Sequence, residues 1–164
     1  MSAAPKPVVR NATSDDAPAL GRLGALLVAL HHAFDPDRFM APGPGTERGY
    51  GRFLVSQLER QEAILLVAEA GGAVCGYAYA GLEGTDWMAL RGPAGVIYDL
   101  IVEPGRRREG VGGMLLYATL EALADRGATR VLLSSATPNE AAQRLFATAG
   151  FRPTMVEMTR EWPD

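Results

Sequence analysis

The chain predicts an α/β fold: a mixed, mostly antiparallel sheet with helices on both faces. Three observations carry that expectation. Apolar runs of strand length alternate with segments of helical period. Two of the runs, Ala63 to Ala70 and Val74 to Ala80, are separated by Gly71-Gly72, a hairpin signal. A third run, Val96 to Val102, passes through a glycine-rich turn into an apolar helical stretch, which is a crossover. Hairpins mixed with helical crossovers pack as a mixed sheet covered by helices. With 164 residues and 48% hydrophobic content the chain can bury one sizeable core and is short for two. A single domain over residues 8–164, after a flexible Ala/Pro tail at 1–7, is expected.

Read in order, a short strand covers Val8 to Ala12. Thr13, Ser14 and Asp15 are N-cap candidates for a helix in which Pro18 falls in the first turn and Leu20, Leu23, Leu27 and Leu30 recur at helical spacing. Ala41-Pro42-Gly43-Pro44-Gly45 cannot continue a helix and reads as a loop before a second helix, Tyr50 to Arg60. After the hairpin, Gly81 to Gly95 reads as a polar loop before the central strand. A helix over Met114 to Arg126 leads to a strand at Arg130 to Ser135 and a helix at Asn139 to Thr148. A last strand at Thr154 to Glu161 completes the order β-α-α-β-β-β-α-β-α-β.

Composition excludes several classes. A net charge of -3 leaves no global basic surface, so nucleic acid is a poor partner. The single cysteine, Cys75, cannot form an intrachain disulfide and sits in an apolar run. No Cys/His cluster has metal-ligand spacing, so no metal site is expected. The N-terminus lacks a hydrophobic signal region, and no apolar stretch approaches membrane-spanning length, so a cytoplasmic protein is expected.

The most informative segment is Pro104-Gly105-Arg106-Arg107-Arg108-Glu109-Gly110-Val111-Gly112-Gly113, between the central strand and the next helix. Glycines allow close approach to the backbone, and free N–H groups at a helix start attract anions. Guanidinium groups suit phosphate. Gly105 to Gly110 fits the start of a P-loop, but Val111 and Gly112 stand where Lys and Ser/Thr are required. The dinucleotide fingerprint fails as well, because Leu115 occupies its third glycine position.

Arg107-Arg108-Glu109-Gly110-Val111-Gly112 matches R-x-x-G-x-G/A, and in this the chain resembles the GNAT superfamily of N-acetyltransferases. Asp99 to Pro104 resembles that family's central strand and its exit. Asn139-Glu140-Ala141-Ala142, Leu145-Phe146 and Gly150-Phe151 resemble its second cofactor motif at the expected separation. The resemblance implies six to seven strands with the two central ones splayed. It implies acetyl-CoA as donor substrate, its pantetheine arm pairing with the backbone of Leu100, Ile101 and Val102. Arg107, Arg108, Glu109, Gly110, Val111, Gly112 and Gly113 would hold the pyrophosphate, and Asn139 and Phe146 would complete the cofactor site. Asn139 also suits a plain helix cap.

The resemblance leaves catalysis open. Acetyl transfer needs a deprotonated amine, an oxyanion donor and a proton for the leaving sulfur. A backbone N–H near Ile101 or Val102 could serve the oxyanion. Many family members carry a tyrosine where this chain has Phe146, which cannot donate a proton; Tyr98, Tyr117, Ser134, Ser135 and Thr137 are the substitutes. Family members often place a glutamate at the position of Val96 or Tyr98. Strand alternation puts Val96, Tyr98, Leu100 and Val102 on one face and Ile97, Asp99 and Ile101 on the other. Tyr98 is therefore the expected catalytic residue, and Asp99 is expected to point away in a structural role unless the strand bulges.

Without a carboxylate base, an α-amine of pKa about 7.7–8.0 is favoured over a lysine amine near about 10.4. The acceptor is expected among His31, His32, Phe34, Asp35, Arg38 and Tyr50 on one wall and Glu83, Asp86 and Trp87 on another. The main expectation is an acetyl-CoA-dependent N-acetyltransferase acting on a primary amine of a small molecule or peptide, in a ternary complex. The alternative is a non-catalytic acyl-CoA-binding regulatory module. A homodimer paired through the last strand is also expected.

Overall fold

The structure, a computed structural model, describes residues 5–164; the first four residues of the expected tail lie outside them. Five strands form one sheet in the order β1-β2-β3-β4-β5: β1 (Val8–Asn11), β2 (Ala63–Ala70), β3 (Ala73–Glu83), β4 (Ala94–Val102) and β5 (Val131–Leu133). The first three neighbouring pairs are antiparallel and β4–β5 is parallel, so the sheet is mixed and mostly antiparallel. The hairpin turns at Gly71 and Gly72, both at positive φ.

Four helices cover the sheet: α1 (Ala17–Phe34), α2 (Thr46–Gln57), α3 (Val111–Asp125) and α4 (Glu140–Thr148). A 3-10 turn at Ser14–Asp16 starts α1, with Asp16 accepting from the Thr13 N–H at 2.8 Å and from Arg10 at 2.9 Å. Alternation along β2 sends Leu65 and Val67 to one face, where they meet Leu20 and Leu23 of α1 and Leu54 of α2. Ile64 and Leu66 go to the other, where they meet Leu115, Leu116 and Leu123 of α3, with Leu145 and Phe146 of α4 packed alongside. Those that are fully buried, such as Leu20, Leu54 and Leu115, each contribute roughly 1.5–3 kcal/mol.

Helices α1 and α2 touch backbone to backbone. A Cβ on Gly24 would lie 2.3 Å from the Tyr50 ring, and one on Gly51 would lie 2.6 Å from the Ala17 carbonyl oxygen. These glycines let α2 sit deep enough to aim Tyr50 at the sheet. By length and composition, Ser14–Phe34, with a mean hydropathy of 1.2, could cross a membrane, contrary to the sequence expectation. Its apolarity is matched by the packing of Leu20 and Leu23 in the core.

Among the described residues the strand count is five rather than six or seven. Among the described residues the expected last strand does not form: Thr154 to Glu161 runs exposed and makes no ladder with the sheet. Glu157 instead contacts Arg38, while Met155, Val156, Met158 and Trp162 stay exposed. The far edge of β5 is open.

Candidate active site

Two irregularities in β4 build the site. Ile97 pairs with Ala80 and Asp99 with Tyr79 of β3, so Tyr98 is the extra residue of a bulge. On the β5 side, pairing covers only Gly95 to Ile97, after which β4 continues alone and the two strands separate. This is the splay expected of the central strands.

The bulge overturns the simple alternation. Ile97 packs with the α3 cluster, as do Leu100 and Val102 beyond the bulge, whereas Ile101 lies in the α1–α2 cluster. Tyr98 and Asp99 therefore share the α1–α2 face. Tyr98 tilts against Tyr79 with ring centroids 4.8 Å apart. Asp99 receives the Tyr50 hydroxyl at 2.7 Å and the Tyr77 hydroxyl at 2.9 Å. Asp99 thus joins Tyr98 in the cleft instead of pointing away.

Both hydroxyls converge on Oδ2 of Asp99. Among the described residues Oδ1 receives no donor, and it is not sealed from solvent. Burial pushes the Asp99 carboxyl above the usual carboxylate range, and the two tyrosine hydrogen bonds hold that rise back. Burial and the Asp99 charge in turn raise Tyr50 and Tyr77, so both remain protonated donors. The Tyr98 hydroxyl donates to Glu83 at 2.5 Å, and burial followed by that bond raises it too. Its proton is committed to Glu83, which weakens its claim as the acid for a leaving sulfur.

A cavity of about 320 Å³ opens between β4 and β5, with Ile97 to Leu100 on one side, Leu133 to Ser135 on the other and α1 above. His31 and Tyr50 line it, whereas His32, Phe34, Asp35 and Arg38 do not. The His31 Nδ1 lies 2.9 Å from the Leu27 carbonyl oxygen, so Nδ1 carries hydrogen and Nε2 is the open nitrogen of the neutral ring. His32 turns to the Phe39 carbonyl at 2.9 Å. The second expected wall does not form: Glu83 is held by Arg91, Asp86 caps its own turn at Met88 and Ala89, and Trp87 is exposed.

Backbone direction separates the three residues expected to meet a pantetheine arm. The Glu103 N–H donates to the Cys75 carbonyl at 2.8 Å, so at residues 101 and 103 the backbone faces β3. By alternation, Leu100 and Val102 turn their N–H and C=O groups into the gap, and Ile101 does not.

At the helix start, Gly110 takes the left-handed conformation (φ 78°) that any other residue would strain to adopt. The first N–H groups of α3, at Val111, Gly112 and Gly113, have no partner within the helix. Arg106 pairs with Glu109 at 3.1 Å, while Arg107 and Arg108 are exposed and make no ion pair among the described residues. A Cβ on Gly112 would meet only Leu145 at 3.5 Å and Val102 at 3.9 Å, ordinary contacts, so packing alone does not demand glycine there. The Asn139 side chain caps α4 through the Ala142 N–H at 3.3 Å and also lines the cavity beside Phe146. Ser135 Oγ is buried on the same wall with no partner among the described residues. Free N–H groups at the α3 start, the Arg107 and Arg108 guanidinium groups, the β4 edge beyond Ile97 and the Ser135 hydroxyl are, among the described residues, donors of the kind a pyrophosphate with an amide-bearing arm would take.

A model of the acetyltransferase (GNAT) family matches residues 27–151. The chain belongs to the GNAT family. Its sequence is 32% identical over 96 residues to a mycothiol acetyltransferase of Clavibacter sepedonicus, covering 58% of this chain and 29% of that protein. It is 28% identical over 106 residues to YhfO, an uncharacterized N-acetyltransferase of Bacillus subtilis, covering 63% and 68%. The match thus spans about three tenths of the mycothiol enzyme. Among solved structures, the fold matches a mutant BH1408 protein of Bacillus halodurans with a TM-score of 0.77 at 20% identity, covering 95% and 98% of the two chains. It also matches aminoglycoside N-acetyltransferase AAC(6')-Iy in complex with CoA, with a TM-score of 0.71 at 15% identity over 98% and 97%. At these identities the structural likeness speaks to the GNAT fold alone.

Sequence reasoning missed Tyr77 altogether and set Asp99 aside. A bulge leaves no mark in apolar alternation, and the only available signal was a carboxylate inside an otherwise apolar strand.

Proposed function

We propose that the chain transfers an acetyl group from acetyl-CoA to a primary amine of a small molecule or peptide by direct attack in a ternary complex. The observation that carries this reading is Asp99: a raised carboxylate with one oxygen free, at the bulge where the central strands part. A carboxylate whose pKa is raised takes a proton from a bound ammonium more readily than an ordinary one.

Bound acetyl-CoA would supply an activated acyl carbon and a thiolate leaving group. The chain's residues do the rest. The α3 N-terminus with Arg107 and Arg108 binds the pyrophosphate. The backbone of Leu100 and Val102 pairs with the arm as an added strand would. The Leu100 N–H, first beyond the bulge to face the gap, stabilises the oxyanion. Asp99 Oδ1 holds the acceptor amine and accepts its proton. Phe146 donates nothing, so Ser135 Oγ is assigned the hydrogen bond on the leaving side. Tyr98 orients Glu83 and walls the acceptor.

The test is release of free thiol from acetyl-CoA on addition of a broad amine panel, with the N-acetyl product identified by mass spectrometry. Acceptor-dependent release is expected. Tight acetyl-CoA binding with no release from any amine would overturn the reading and favour a non-catalytic acyl-CoA module.

A homodimer belongs to the same proposal. The segment from Met155 to Trp162 carries four large exposed apolar side chains, and among the described residues the β5 edge has no neighbouring strand. A second copy supplies both missing halves reciprocally, as a two-fold pair requires.

A further inference from the structure

The acceptor side holds a second cavity, of about 360 Å³, lined by Tyr50, Phe53, Arg60, Tyr79, Tyr98 and Asp99. Three of these, Tyr50, Tyr98 and Asp99, also line the cavity between β4 and β5, so the two spaces share the bulge. A guest in the second cavity can thus present its amine to Asp99 while the acyl donor approaches from the first.

The walls are aromatic and the two charged groups are opposite in sign. Phe53 stands edge-on to Tyr50 at 6.2 Å and to Tyr79 at 6.0 Å, and Tyr79 continues to Tyr98 at 4.8 Å. Such a surface suits the carbon body of a guest and tolerates a cation against its faces. Arg60 makes no ion pair among the described residues; its one side-chain bond runs to Gln57 Oε1 at 3.4 Å, the same oxygen that receives the Tyr79 hydroxyl at 2.9 Å. The guanidinium therefore sits at the Tyr79 end of the wall. Burial raises both Tyr79 and Tyr98, and the Arg60 charge offsets part of that rise, in keeping with its place on the wall of the same cavity. Asp99 likewise makes no ion pair among the described residues, its two bonds coming from neutral hydroxyls, and the nearest charge acting on it is that of His31 in the adjoining cavity. One cavity thus carries a carboxyl and a guanidinium, neither in an ion pair among the described residues, with aromatic rings lining the wall between them.

From this we infer that the acceptor is an amino-acid-sized zwitterion whose amine is held by Asp99 and whose carboxylate is held by Arg60. The inference rests on Asp99 as the amine site and adds a requirement for a second, anionic group on the acceptor. A simple alkylamine would leave Arg60 without its partner and lose a charge-assisted, forked hydrogen bond.

The experiment compares kcat/KM by thiol release for α- and ω-amino acids and short peptides, each against its own carboxamide, per concentration of free amine. The wild type should prefer the carboxylate form of at least one matched pair by about tenfold or more, mainly through KM. Arg60→Gln should collapse that preference to about twofold or less, with Arg60→Lys in between. Arg60 is exposed, and an unchanged melting temperature would confirm that the variants fold. Carboxamides used as well as their acids by the wild type, or a preference that survives Arg60→Gln, would overturn this inference while leaving amine acetylation intact. No acetylation of any amine would overturn both it and the proposed activity.

Discussion

The Tyr50 hydroxyl, carried by α2, donates to Oδ2 of Asp99 on β4 at 2.7 Å, joining the helical layer to the bulge of the central strand. Tyr77 makes the matching bond from β3 at 2.9 Å. Together they fix one oxygen of a mostly buried carboxylate and leave the other to the cleft. Burial still dominates, so the folded state holds the Asp99 proton more tightly than the unfolded chain does.

That imbalance sets a sign for stability. Because the folded pKa of Asp99 is raised, stability falls as pH rises between the unfolded and folded values, and above the folded value the ionised carboxylate carries its full desolvation cost. Asp99→Asn removes the charge at nearly constant shape. Its melting temperature at neutral pH is expected to exceed that of the wild type, with the gain shrinking as pH falls through the raised value. A gain that is constant from neutral to acid pH would contradict the assignment.

Gly24→Ala tests the helix contact that aims Tyr50. The new methyl would fall 2.3 Å from the Tyr50 ring, so the ring or α2 must move. Overpacking of this kind costs about 1–3 kcal/mol. Denaturant unfolding should show that loss, and kcat should drop because the Tyr50–Asp99 bond is displaced. Full stability with full activity would show that the contact is slack.

Gly112→Asp tests the donor site. The Cβ has room in the fold, so thermal stability should change little, whereas bulk and negative charge at the helix start should weaken acetyl-CoA binding by about tenfold or more. Titration calorimetry reads this directly, and unchanged affinity would remove the pyrophosphate assignment.

Ending the chain after Phe151 removes only exposed residues while keeping Phe151, which packs 5.9 Å from Phe146. The shortened chain should stay folded and elute as a monomer in light-scattering chromatography, with the full chain as a dimer. A full chain that is monomeric at micromolar concentration would dismiss the reciprocal pairing.

Much of the fold was legible because it rests on local signals. The Gly71-Gly72 hairpin, the Leu20–Leu30 helical spacing and the Gly110 turn all state their geometry within a few residues. The candidate donor site was legible for the same reason, since backbone N–H groups at a helix start need only glycines and a strand before them. The acceptor site was not. Asp99 enters the cleft only because Tyr98 is inserted against β3, and Arg60, just past the end of α2, lines the same cavity as Asp99 only because that helix packs there. The last strand failed differently: Thr154 to Glu161 has strand-like composition, but a strand exists only when another lies beside it.

The central claim is that the free oxygen of Asp99 takes the proton of the attacking amine, and the pH profile of kcat/KM for Asp99→Asn against wild type tests it most directly. The wild type should show an acid limb set by the raised carboxyl, and the variant should lose that limb and fall by roughly 10²-fold at neutral pH, while acetyl-CoA affinity is retained. An Asp99→Asn enzyme with wild-type kcat/KM and an unaltered acid limb would contradict the account.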